Sequence, residues 1–165
     1  MELTTVIESA AELLIAKKMT LAFAESATAG RASAEFSLAC DAGKFLKGGF
    51  VCYDAALKHE VLEVPTEMLE KYTPESMEVT EAITRGIIQL VPADIHIGIT
   101  GLPCPGGSET AEKPVGTMFI FALKNGTPWF SERKVYGGTH QEIIEKTVRQ
   151  VAELLLKHAG NSGFK

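Results

Sequence analysis

One join constrains this chain more than any other feature. A short apolar segment, Thr20 to Ala24, is long enough for a buried strand and runs directly into Glu25-Ser26-Ala27-Thr28-Ala29-Gly30. A helical pattern begins straight after Gly30, with Ala32, Phe36 and Ala39 on one side. A strand that ends in a small polar turn and feeds a helix is a place where α/β proteins keep chemistry. The helix N-terminus leaves N–H groups unpaired and carries partial positive charge. A serine hydroxyl there faces developing negative charge with donors already in place. The competing reading is that Ser26 or Thr28 only caps the helix, as these residues commonly do.

The rest of the chain can be read in order. Leu3, Val6, Ile7, Ala10, Ala11, Leu13 and Leu14 predict an amphipathic helix over residues 3 to 18. A second helix follows the polar turn and runs to about Cys40, and Asp41-Ala42-Gly43 reads as a loop. Phe45 to Tyr53 reads as a strand in which Gly48-Gly49 marks a bulge or a close backbone approach. Asp54 can cap a short helix through Leu62 that carries Lys58. Pro65 and Pro74 bracket a loop and a short turn. Thr73-Pro74 resembles a cap with proline at the first helical position, opening a helix that ends before Pro92.

Ile95 to Ile99 alternates as an internal strand. The Gly- and Pro-dense stretch from Thr100 to Pro114 is a loop of the kind that is usually functional. Val115 to Leu123 and Trp129 to Tyr136 predict two strands around an Asn125-Gly126 hairpin turn. A long helix closes the chain, and residues 159 to 165 look frayed. No repeat or linker interrupts residues 1–165, which suits a single domain. The order predicts an α/β fold, a three-layer α/β/α sandwich with a mixed, mostly parallel sheet.

Composition narrows the function class. The net charge is −5 and no basic stripe is present, which argues against nucleic acid as a partner and against an RNA-binding domain of similar architecture. No apolar run approaches the roughly 18–20 residues of a membrane span, so no membrane partner is expected. Acidic residues stand where a signal peptide needs basic ones. The three cysteines, Cys40, Cys52 and Cys104, fit neither a disulfide framework nor a zinc site. They read as reduced thiols in a cytoplasmic protein, with no metal and no cofactor expected.

Ser26 is the candidate nucleophile, and it needs a base. Among the histidines, His96 reads as a core or sheet-face residue and His158 as a helix-terminal one. His59 and His140 remain candidate bases, though nothing in the sequence ties either to Ser26. Lys58 is the other option. Lowering its pKa from about 10.4 to about 7–8 takes roughly 3–4 kcal/mol of desolvation or like-charge repulsion. Taken alone, Lys58 reads as an ordinary exposed lysine. The loop from Gly101 to Lys113 frees backbone N–H groups at Gly106-Gly107 that can cradle phosphate, although it has no P-loop spacing.

Together these pieces resemble the CinA C-terminal domain family of nicotinamide-nucleotide amidases, from about Leu3 to Leu156. The likeness rests on Glu25-Ser26-Ala27-Thr28-Ala29-Gly30, Tyr53-Asp54-Ala55-Ala56-Leu57-Lys58, Thr100 to Gly107 followed by Lys113-Pro114-Val115-Gly116, and Gly138 to Ile144. The resemblance implies hydrolysis of the carboxamide of nicotinamide mononucleotide to nicotinate mononucleotide and ammonia, without a metal or cofactor. It makes Ser26 the nucleophile and Lys58 the base, a Ser-Lys variant of the catalytic triad. Backbone N–H groups at Ala27-Thr28 would form the oxyanion hole, worth about 2.7–4 kcal/mol per donor.

Substrate contacts are expected from Glu25, Ala27, Thr28, Gly30, Tyr53, Thr100, Gly101, Pro105, Gly106, Gly107 and His140. The resemblance also implies a homo-oligomer acting on a small-molecule substrate. The departures from the family pattern are Ala27, Ala29, Ala55, Pro103-Cys104, His140 and Ile144. The last two stand where the family has arginines, the natural partners of phosphate. The alternative is a diverged paralogue, either an amidase on another small amide or a non-catalytic binding module.

Overall fold

The computed structural model describes residues 2–160. Its elements are α1 (Leu3–Ala16), β1 (Leu21–Glu25), α2 (Arg31–Ser37), β2 (Leu46–Val51), α3 (Ala55–Glu60), α4 (Thr66–Tyr72), α5 (Met77–Gly86), β3 (Ile95–Gly101), β4 (Thr117–Lys124), β5 (Thr127–Val135) and α6 (His140–Gly160). The sheet order is β2-β1-β3-β4-β5. β1 runs parallel to both β2 and β3, and the β3–β4 and β4–β5 ladders are antiparallel.

Two apolar layers sandwich this mixed sheet. On one side Ile7, Ala11 and Leu14 of α1, Phe36 of α2 and Val151 and Leu155 of α6 pack with Leu21, Phe23, Ile95, Ile97 and Ile99. On the other side Val79 and Ile83 of α5, with Ile87, Leu62 and Val64, pack with Ala24 and Cys52. Side chains alternate across a strand, so β1 feeds both cores and is buried at every position. At Gly49 of β2, a Cβ atom would stand 2.5 Å from the Phe23 carbonyl oxygen, so only glycine lets the two strands approach. The ladder also shifts register between Leu21 and Ala22. In the β4–β5 turn, Asn125 and Gly126 have φ of 50° and 75°, the left-handed pair a tight hairpin needs.

Several expected boundaries move. Residues 66–72, expected as loop, form α4, because Thr-Glu-Met-Leu-Glu-Lys-Tyr holds good helix formers directly after Pro65. Thr73-Pro74 does not open α5. Thr73, at φ 68°, ends α4, and the Ser76 hydroxyl caps α5 by accepting from Val79 N–H at 3.3 Å. α5 stops at Gly86 although its apolar spacing continues, and α2 ends at Ser37 rather than near Cys40. β1 includes Glu25, and β3 runs on to Gly101. β5 takes in Pro128, which an edge strand tolerates because its outer donors need no partner. Ala159 and Gly160 belong to α6 rather than to a frayed tail; residues 161–165 lie outside those described.

Candidate active site

The topology opens a crevice. From β1 the chain crosses through α2 to β2 on one side. From β2 it returns through α3, α4 and α5 to β3 on the other side of β1. The connections diverge above the carboxyl ends of β1 and β3, where open α/β sheets bind ligands. A cavity of about 240 Å³ lies there, lined by Ser26, Ala27, Tyr53, Glu75, Gly101 and the loop Leu102 to Gly107. Ser26 is anchored by its own N–H, which donates to the Ile99 carbonyl at 2.9 Å across the strand ends.

Lys58 meets Ser26 from below. Asp54 caps α3 by accepting from Ala56 N–H at 2.8 Å, which sets the helix that carries the lysine. The Lys58 side chain is 1% exposed, contrary to the reading of Lys58 as an ordinary surface lysine. Its Nζ lies 2.9 Å from Ser26 Oγ and donates to the Cys52 carbonyl at 3.0 Å. Among the described residues it forms no ion pair. Burial without a paired carboxylate pushes the ammonium below the ordinary lysine range. Burial likewise pushes the neighbouring Cys52 thiol up to about 11. The result is a hydroxyl within proton-transfer distance of an amine that burial biases toward its neutral, proton-accepting form.

Glu25 organises the turn above them. Its two carboxylate oxygens accept from Thr28 Oγ1, Gly30 N–H, Ala32 N–H, Ser33 N–H and Ser33 Oγ. It therefore satisfies the N-terminal donors of α2, whose N-cap Gly30 has φ 93° and no side-chain cap of its own. Neither Ser26 nor Thr28 serves as the cap, which frees Ser26 for Lys58. The N–H groups of Ala27 and Thr28 make no hydrogen bond among the described residues. They are the unspent donors an oxyanion requires.

The expected substrate contacts divide. Ala27, Tyr53, Gly101, Pro105, Gly106 and Gly107 line the cavity with Ser26. Glu25, Thr28 and Gly30 do not: the Glu25 carboxylate is taken by the Thr28 hydroxyl and the Gly30 N–H, among others. Thr100 is fully buried and its hydroxyl pairs with Thr80 Oγ1 at 2.8 Å, so it too stands behind the wall. His140 opens α6 on a separate hollow with Arg31, Gln141 and Ile144, and the structure does not bring it to Ser26. His59 Nδ1 lies 2.8 Å from the Val64 carbonyl, His96 Nε2 lies 2.8 Å from the Val91 carbonyl, and His158 stacks on Phe130.

Glu75, Leu102, Pro103 and Cys104 line the cavity without being among the expected contacts; for Glu75 the sequence signal, Thr73-Pro74, points to a helix start rather than to a cavity wall. The Gly106 N–H, expected to face phosphate, donates to Glu109 Oε1 at 2.9 Å and holds that carboxyl below its usual range. Among the described residues no three His, Cys, Asp or Glu side chains converge to hold a metal, and no helix is long and apolar enough to cross a membrane.

The family model described as CinA C-terminal domain matches residues 3–159. A CinA-like protein from Desulfotalea psychrophila is 31% identical over 154 residues, which is 93% of this chain and 37% of that protein. The chain thus spans somewhat over a third of the length of the curated relatives it matches. A solved CinA superfamily structure from Klebsiella pneumoniae superposes with a TM-score of 0.91 at 27% identity, over 97% of this chain and 99% of that one. Another, from Escherichia coli, gives a TM-score of 0.85 at 28% identity, over 94% and 90%.

Proposed function

We propose, from the premise that this chain belongs to the CinA C-terminal domain family, that it is an amidase that releases ammonia from the carboxamide of nicotinamide mononucleotide or a close relative of it. The observation that carries this reading is the buried contact of 2.9 Å between Lys58 Nζ and Ser26 Oγ at the rim of the cavity. Neutral Lys58 takes the Ser26 proton as Oγ bonds to the carboxamide carbon. The carbonyl electrons move onto oxygen, which the Ala27 and Thr28 N–H groups receive. As the intermediate collapses, the C–N bond breaks and Lys58 returns the proton to the departing nitrogen, giving ammonia and an acyl-serine. Water then attacks the ester, losing a proton to Lys58, and as the ester C–O bond breaks Lys58 returns that proton to Ser26 Oγ, freeing the carboxylic acid and restoring both residues.

A second reading is favoured by Glu109 on the Gly106 N–H and by Glu75 in the wall: the amide is a relative that lacks the phosphate. Ammonia release from nicotinamide mononucleotide, nicotinamide riboside and nicotinamide tests both readings. Ser26→Ala and Lys58→Met are each expected to lower turnover by about 10³-fold or more. Turnover that survives in Ser26→Ala rejects the covalent route. Absence of turnover on every amide, with binding retained, supports a non-catalytic relative instead.

A further inference from the structure

We infer that Glu75 is a specificity-determining residue, and that the cavity accepts a carboxamide carried on a positively charged, unphosphorylated scaffold. The inference rests on the amidase reading above, whose substrate class it names.

Glu75 lies between α4 and α5, half-buried, on the cavity wall. Its Oε2 accepts from Ser108 Oγ at 2.5 Å, while Oε1 makes no hydrogen bond among the described residues. Lys113 ties the same corner together. Its Nζ donates to Thr73 Oγ1 at 2.6 Å, to the Glu75 carbonyl at 2.7 Å and to Ser108 Oγ at 2.8 Å. All three acceptors are neutral oxygens, so the lysine makes no ion pair with the carboxylate, although the two charges attract across Ser108. The Glu75 carboxylate is held in place before any ligand arrives, so little side-chain freedom is lost on binding.

Nothing opposes it inside the cavity. No Lys, Arg or His lines the wall, and Lys58, beneath Ser26, is biased by burial toward its uncharged form. The Gly106 donor that an anion would seek is given to Glu109. An anionic group entering here meets the Glu75 carboxylate, while Lys113 behind it is already bonded to Thr73, Ser108 and the Glu75 carbonyl. A cation meets one fixed negative charge and the Tyr53 ring, which is 59% exposed and whose face attracts positive charge.

Binding to the Ser26→Ala protein separates this from catalysis. Calorimetric titration would use 1-methylnicotinamide against nicotinamide, which differ in ring charge, and nicotinamide riboside against nicotinamide mononucleotide, which differ in the phosphate. The cationic ring and the riboside are each expected to bind about 5–10-fold tighter than their counterparts. In Ser26→Ala/Glu75→Gln both ratios should fall to near one, since glutamine keeps an acceptor for Ser108 but no charge. Tighter binding of the mononucleotide, ratios unmoved by Glu75→Gln, or no binding by any of the four overturns the proposal. Charge preference without ammonia release from the Ser26 protein would instead defeat the amidase reading and leave this one standing.

Discussion

Lys58 shows how tertiary burial changes the chemistry of an ordinary residue. Its side chain is 1% exposed and, among the described residues, its nitrogen hydrogen-bonds only to the Ser26 hydroxyl and the Cys52 carbonyl. Without a carboxylate partner, burial favours the free amine. Two consequences share that sign. The proposed mechanism needs the neutral amine, so kcat/KM should rise with pH through a single ionisation below the usual lysine range, and Glu75→Gln should move that limb lower by removing a nearby negative charge. The unfolded chain binds a proton that the native site resists. Stability should therefore rise with pH between the depressed folded value and the ordinary lysine value of about 10.4, and Lys58→Met should flatten that dependence. A pH–rate profile and denaturant melts across pH 6–10 check both. A flat rate profile with intact turnover would reassign the base.

At the scale of the element, the β1–α2 turn is held by one carboxylate. Glu25 gathers five donors, four of them from the first turns of α2 or the residue that caps it: Gly30, Ala32 and both polar groups of Ser33. Because Glu25 caps the helix, the Ala27 and Thr28 N–H groups stay unspent and the Ser26 hydroxyl stays with Lys58. Glu25→Ala leaves those buried donors without an acceptor and should cost about 2–4 kcal/mol in chemical denaturation, well above a surface substitution. It should also lower turnover in the fraction that stays folded, because the turn then loses its fixed shape. Glu25→Ala with near-native stability would mean that the donors find other acceptors.

At the scale of the whole molecule, one sheet joins two apolar layers, and β1 contributes to both. Ile83 of α5 is fully buried in the smaller layer, and Ile83→Ala should cost about 2–5 kcal/mol while unfolding remains a single transition seen by both fluorescence and circular dichroism. Noncoincident transitions would mean that the layers melt separately. The architecture was legible in the chain because it depends on local periodicity. The apolar run before Glu25, the helical spacing of α1 and α6 and the Asn125-Gly126 turn each act within a few residues. The Ser26 turn and the cap at Asp54 were legible for the same reason. α4, the true start of α5 and the end of α5 at Gly86 were not, since proline positions and apolar spacing there pointed the wrong way. The site was legible only in its pieces. That Lys58 is buried, that Thr100 stands behind the wall, that His140 lies on another hollow and that Glu75 lines the cavity all depend on which segments the sheet order brings together. Spacing along a chain carries local geometry, whereas burial and charge neighbours are set by residues far apart in the sequence, such as Ser26 and Lys58, and those only the folded sheet brings into contact.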